Sequence, residues 1–252
     1  SYIRGKTGTG VIDPRLIGET VDGINEYFSN LGPNTVAAEI QNMDPDGQLS
    51  PQMSIFFERF RIPPIVEIER IMGEIDDGKS AGLDGIPGRL LRECSDELAP
   101  CIQELLRTMI RTSTYPDALK TSLLFPVHKA GSVTEMINYR PISLLSVVNR
   151  VIEKLMVDQL YTAIEERNML SPMQFEFRRG LGCEHAAHHL VNFATDSLDC
   201  GSYCVAIFFD LSKAFDTVSH PRLLLKLRRF GIDGPALDLI TSYLSNRRQL
   251  YK

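Results

Sequence analysis

No apolar run in the 252-residue sequence approaches the roughly 20 residues that span a bilayer, so a membrane-spanning helix is not expected. The first residues, Ser1-Tyr2-Ile3-Arg4-Gly5-Lys6, contain neither an apolar signal core nor an initiator Met, which reads as a fragment or a processed piece. There is no C-x-x-C pair. The five Cys (94, 101, 183, 200 and 204) are odd in number, a pattern that suits free thiols in a reducing compartment. Internal repeats and low-complexity tracts are absent. Charge of one sign is scarce as well: 27 Lys+Arg stand against 32 Asp+Glu, a formal net charge of -5.

What is present is ordinary globular material. A hydrophobic fraction of 43% and a charged fraction of 23% argue against disorder, and the length allows one large domain or two small ones. Charge is unevenly spread. Residues 1–120 hold 12 basic and 19 acidic side chains, whereas residues 121–252 hold 15 basic and 13 acidic. The second half is therefore the better candidate for phosphate contacts.

Periodicity predicts a helix from Asp13-Pro14 through Leu31, with Asp as N-cap and Pro at the first helical position. Residues 42–54 read as loop or linker. Ile55–Ile62 reads as a short strand or extended segment closed by Pro63-Pro64. Ile65, Ile68, Ile71, Met72 and Ile75 mark an amphipathic helix ending near Gly78. Residues 79–88 form a Gly/Pro-rich loop, with helices across 88–94 and 96–113 and a strand over Thr121–Val127. A long helical stripe runs from Val147, with Ser146 as cap. Residues 170–182 are a basic loop, Glu184–Leu198 is helical, and two further helices fall near 221–230 and 235–245. Between them, Tyr203–Leu211 (YCVAIFFDL) is a continuous apolar run of β-branched and aromatic residues, the pattern of a buried central strand.

That run ends in Asp210. A carboxylate at the end of a buried apolar strand is costly unless its charge is used. Two users are open from the residues alone: a divalent cation such as Mg²⁺, which prefers carboxylate oxygens, or the turn that Leu211-Ser212-Lys213 must make.

The run Phe209-Asp210-Leu211-Ser212-Lys213-Ala214-Phe215-Asp216-Thr217-Val218 resembles the first catalytic motif of reverse transcriptases, in the form carried by non-LTR, jockey-like retrotransposons. Other segments resemble that family in its order. Residues 79–87 (KSAGLDGIP) match its opening loop, and residues 124–145 (LFPVHKAGS…INYRPISLL) match its fingers motif. Residues 173–180 (MQFEFRRG) match a Q-F-G-F-R-x-G segment, and residues 241–249 (TSYLSNRRQ) match the S-Y-L-S-N-R-x-Q segment. Asp13–Pro33 resembles the helical stretch ahead of the polymerase in such elements.

The resemblance implies a helix-rich α/β (α+β) fold of the right-hand polymerase type. Residues 1–50 would be a helical extension or linker, 51–200 the fingers-type region, and 201–252 a partial palm with its first catalytic strand. It implies an RNA-directed DNA polymerase extending a primer 3′ end by two-metal nucleotidyl transfer. Asp210 would be the catalytic residue and metal ligand, and the Leu211 backbone carbonyl a second metal oxygen. The cofactor would be Mg²⁺, two ions in the complete domain. Phe215 would lie under the incoming sugar and exclude a 2′-hydroxyl, favouring dNTP. Arg140 would close on the triphosphate with its bidentate fork, and Lys129 would assist. Arg178 and Arg179 would touch the nucleic-acid backbone. The partners would be RNA template, DNA primer and dNTP, without a membrane, and the family implies a nuclear location. Gly82 and Gly85 would supply turn freedom, Asp84 belongs to the same loop, and Asp216 reads as a local cap.

The sequence departs from the family at Glu176, where a Gly is usual, and at Leu181-Gly182-Cys183, where R-S-T is usual; both changes are expected to weaken nucleic-acid binding. The family also needs a P-Q-G motif and an aromatic-x-Asp-Asp hairpin downstream of Asp210, which this sequence lacks. Ile75-Asp76-Asp77-Gly78 is a lookalike in the wrong place. The chain is therefore expected to hold fingers and part of the palm and to be inactive alone. A non-catalytic nucleic-acid-binding relic or domesticated copy is the alternative. Cys183, His185, His188 and His189 read as exposed helix residues rather than a zinc site.

Overall fold

The computed structural model describes residues 18, 20–30, 53–76, 81–211 and 214–251. By its contacts the chain divides into one unit of residues 1–160 with 215–252 and a second of residues 161–214. Helices dominate and are joined by a single three-stranded sheet among the described residues.

In the first unit, α1 (Val21–Ser29) is capped by Thr20, whose hydroxyl accepts from the Gly23 amide at 3.0 Å. The helix expected from Asp13-Pro14 starts only at Val21, because Gly18 turns at φ +68 and Thr20 is extended as the N-cap; Asp13-Pro14 and most of the 42–54 linker lie outside the described residues. Residues 54–58 are extended and lace onto a turn near the far end of the chain. The Phe56 amide donates to the Gly231 carbonyl, the Asp233 amide to Phe57, and the Ala236 amide to Glu58. Gly231 has φ +87, and a Cβ there would strike the Ser54 carbonyl oxygen, so the position needs glycine twice over.

Helices α2 (Ile65–Gly73), α3 (Gly88–Glu93) and α4 (Ser95–Thr112) follow. α2 stops five residues earlier than periodicity predicts. Ile75 nevertheless packs against the core from the turn beyond it, which is why it mimics a helical position. On α4, Ala99, Ile102, Leu106, Met109 and Ile110 recur at helical spacing and are all buried. They share one core with Ile68, Ile71 and Met72 of α2, Val151, Ile152 and Leu155 of α5 (Val147–Glu166), and Ala236, Leu239 and Ile240 of α8 (Gly234–Leu244). Helix α7 (His220–Arg229) precedes α8, whose N-terminus is closed by the Asp233 side chain.

Strand β1 (Thr121–His128) is central. It pairs antiparallel with β2 (Tyr139–Leu144) and parallel with β3 (Arg248–Tyr251). β1 alone is legible from propensity. Its neighbours carry Arg, Pro and Gln and become strands by pairing with it. Ile24 and Phe28 of α1 pack with Leu124 and Tyr139 and cover one sheet face.

The second unit contains the end of α5, the loop 167–182, α6 (Cys183–Asp199) and the segment 200–211. Here one expectation fails. Tyr203–Leu211 is not a buried central strand: it belongs to no strand, and Tyr203, Phe208 and Phe209 are 99%, 82% and 90% exposed. A strand becomes buried only when others flank and cover it, and among the described residues none pairs with this one.

Candidate nucleotide and nucleic-acid site

The β1–β2 end of the sheet positions Lys129 and Arg140. The Arg140 Cα is in register with Val127, and the Lys129 amide donates to the Asn138 carbonyl at 2.8 Å. Both side chains are exposed. The connection between them is braced from within. The Asn138 amide group donates to the Ser132 carbonyl (2.9 Å) and to a Glu135 carboxylate oxygen (3.1 Å). Gly131, at φ +87, leaves room for that amide, which a Cβ would meet at 2.7 Å. The Tyr139 hydroxyl donates to Val133 at 2.8 Å, and its ring meets His128 edge-on at 5.2 Å. Two cations therefore stand at the mouth of a stiffened hairpin. Asn138 and Tyr139 are the supports, and only their place in N-Y-R-P could have signalled them.

Residues alternate across a strand, so Arg140 shares a sheet face with Ile142, Val127, Phe125, Leu123 and Thr121, and through the β1–β3 register with Arg248 and Leu250. This is the face away from α1. Its β1 residues are half-buried, and Arg140, Ile142, Arg248 and Leu250 are exposed.

The opening loop is structural in its contacts. Gly85 has φ +69 and its amide donates to Gly82; the Asp84 carboxylate accepts from the Ile86 amide at 3.1 Å. A Cβ on Gly82 would lie 2.6 Å from the Ser146 nitrogen, so the loop rests on the start of α5.

In the second unit, Arg178 is held by a carboxylate. Its Nε and one terminal nitrogen donate to the two oxygens of Glu165 at 2.9 and 2.8 Å, and its other terminal nitrogen reaches the Ser171 carbonyl at 3.3 Å. The Arg178 fork, followed by the Tyr161 hydroxyl, holds the Glu165 carboxyl below its ordinary value, and Glu165 in turn raises the guanidinium. The Arg179 guanidinium lies 4.6 Å over the Tyr161 ring, and its amide donates to the Tyr161 hydroxyl at 2.8 Å. Glu165 and Tyr161, thirteen or more residues upstream, gave no signal in the sequence. Glu176 accepts from the Cys183 thiol at 2.8 Å, and that bond, with the carboxylate's charge, pushes the thiol up. The His188 ring bonds Asn192 at 3.1 Å, and His189 faces Phe175 at 5.9 Å.

Asp210 and Leu211 are exposed on the segment 200–211 of the second unit; Phe215, 78% exposed, sits in the turn that begins the returning part of the first. Arg140 and Lys129 are thus brought together on one unit, whereas Asp210 belongs to the other. No group of three His, Cys, Asp or Glu side chains gathers among the described residues. The Asp210 carboxylate and Leu211 carbonyl are hard oxygen donors of the kind Mg²⁺ takes. In number they supply one carboxylate, short of a two-ion centre.

The reverse transcriptase (RNA-dependent DNA polymerase) family profile matches residues 127–252, a span that contains Lys129, Arg140, Arg178, Arg179, Asp210 and Phe215. The chain is 30% identical over 183 residues to the RNA-directed DNA polymerase from mobile element jockey of Drosophila melanogaster, covering 72% of this chain and 20% of that protein. It is 30% identical over 198 residues to the probable RNA-directed DNA polymerase from transposon BS of the same fly, covering 78% and 21%. The corresponding polymerase of transposon X-element is 28% identical over 183 residues, covering 72% and 20%. The chain thus spans about a fifth of the length of these relatives. With the profile match falling on the hairpin, the basic loop and the Phe-Asp-Leu run alike, the chain belongs to the reverse transcriptase family, among relatives carried by jockey-type mobile elements.

Proposed function

We propose that the chain is the fingers and first palm portion of a right-hand RNA-directed DNA polymerase, with 51–200 as the fingers-type region and 201–252 as the partial palm. The observation that carries this reading is the family match across 127–252 together with the placement of Lys129 and Arg140 at the same braced end of the hairpin. Arg140 grips the dNTP triphosphate with two parallel N–H bonds, and Lys129 adds a point charge. The Phe215 ring fills the space a 2′-hydroxyl would need and offers it no acceptor, which selects dNTP. Asp210, with the Leu211 carbonyl, contributes oxygens for divalent cations. Bound Mg²⁺ would supply charge stabilisation at the transferring phosphoryl group. Arg179, on the basic loop, faces RNA template or DNA primer; Arg178 shapes that loop through Glu165. A nuclear site of action follows from the same reading.

Binding of an RNA–DNA primer-template with each nucleotide class tests this. A dNTP is expected to stabilise the complex more than the matching rNTP. Arg140→Ala should abolish that effect, and Phe215→Val should narrow the dNTP preference. A complex indifferent to nucleotide would overturn the reading. Asp210 is the one carboxylate of the segment 200–211, and no group of three His, Cys, Asp or Glu gathers among the described residues, which favours a second point: this chain binds without catalysing. No primer extension is expected from it with Mg²⁺ and dNTPs, and extension that Asp210→Asn abolishes would refute that.

A further inference from the structure

Within the 241–249 segment, Asn246, Arg247 and Arg248 have no role in the site above. With Asp117 and Thr121 they line a cleft of about 410 Å³. Arg247 is fixed in place: its guanidinium lies 4.6 Å over the Tyr243 ring and donates to the Tyr243 carbonyl at 3.2 Å. Tyr243 is anchored in turn, its hydroxyl donating to Glu153 at 2.6 Å and its ring edge-on to the fully buried Tyr115 at 4.9 Å. Arg248 is exposed, and its charge adds to that of Lys120, the larger cause, in holding the Asp117 carboxyl below its ordinary value. The one carboxylate of the lining is already committed, because Asp117 accepts from the ammonium of Lys120 at 2.9 Å, and Lys120 is itself only 4% exposed. Two guanidiniums therefore share a cleft with a carboxylate whose charge is already offset, beside the hydroxyl of Thr121 and the amide of Asn246.

We propose that this cleft is a second phosphate anchor for the single-stranded nucleic acid that the polymerase site uses, an inference that rests on the function proposed above. Arg248 is in register with Thr121, and Arg140 with Val127, on the same open face. Six residues of β1 separate the two levels, about 20 Å at ~3.3 Å per residue. Between them lie Leu123 and Phe125, with Ile142 and Leu250 to either side, an apolar floor on which bases can rest while a backbone phosphate meets Arg248 at the end away from the dNTP. The anchor carries affinity and direction, not sequence.

The test is anisotropy of a fluorescein-labelled oligouridylate with the 252-residue chain across a series of KCl concentrations. Arg248→Gln is expected to weaken binding severalfold and to lower the log–log salt slope by about 0.7, the value for one lost phosphate contact on a single strand. Arg248→Lys keeps the slope. Arg107→Gln, at an exposed position of α4, makes the same charge change and leaves it unaltered. Matching thermal melts check that the variants fold. A slope lost equally in Arg107→Gln reports general charge and overturns the anchor. Salt-dependent binding whose slope is the same in Arg248→Gln as in the unsubstituted chain overturns the anchor while the polymerase reading stands. Absence of salt-dependent binding by the unsubstituted chain overturns both.

Discussion

Arg178 shows how a residue read as a nucleic-acid contact acquires a prior commitment. Its fork is engaged by Glu165 on both oxygens, and that engagement holds the Glu165 carboxyl below its ordinary value of 4.5. The sign of the linkage follows. A depressed folded-state value means the pair stabilises the loop above the unfolded carboxyl's titration and loses that effect as pH falls through the folded value. Carbon-13 NMR of the Glu165 carboxyl should show a midpoint below 4.5 that returns toward it in Arg178→Met. An unmoved midpoint would mean the pair does not persist in solution. A buried polar pair offers a second residue-scale case. The Tyr115 hydroxyl donates to the Asn149 side-chain oxygen at 2.6 Å, and the Asn149 amide nitrogen already lacks a partner inside the core. Tyr115→Phe strips the remaining bond and leaves Asn149 buried with no partner, at a cost of about 1–3 kcal/mol. Chemical denaturation reads this, and a loss near zero would place water in the gap.

At the scale of elements, the helices were legible and most of the sheet was not. The α4 stripe is a local signal, written in the residues that form it, whereas Ser146 stands at the start of α5 without capping it, its buried hydroxyl having no hydrogen-bond partner among the described residues. β2 and β3 owe their existence to β1, which lies 11 or more residues from either partner in register, and no local pattern encodes a partner. The segment 203–211 errs in the opposite direction: its composition is that of a central strand, yet composition cannot supply neighbours. For the candidate site, the motifs indicated Lys129, Arg140 and Asp210 directly, and Tyr243 by its place in the 241–249 segment, while Glu165 and Tyr161, which hold the basic loop in place, carried no mark. An unpaired, exposed apolar segment is an edge on which other chains can add. Phe209→Lys is therefore expected to raise the concentration at which the chain stays monomeric in size-exclusion chromatography, with an unchanged thermal melt because that ring is 90% exposed. Unaltered self-association would show that the segment is covered in solution.

For the molecule as a whole, burial is distributed unequally between the two units. Among the described residues the first unit holds every buried apolar side chain, from Ile24 on α1 to Ile240 on α8. Among the described residues of the second, 161–211 and Ala214, none is buried, and α6 presents no side chain to a core. Apolar area removed from water is the main source of cooperative stability, so the second unit relies on helix hydrogen bonds and on the Glu165–Arg178 and Tyr161–Arg179 contacts. Regions with few buried contacts open at lower free energy than the core. Limited proteolysis under native conditions should cut first between residues 161 and 214, and do so at a rate nearly independent of low urea. The core of the first unit should be cut only through global unfolding, with a rate that rises steeply with urea. Leu155→Ala, which empties a fully buried position on α5 at about 2–5 kcal/mol, should speed cleavage in the core and leave cleavage between 161 and 214 unchanged. Equal acceleration of both would show that the two units unfold as one.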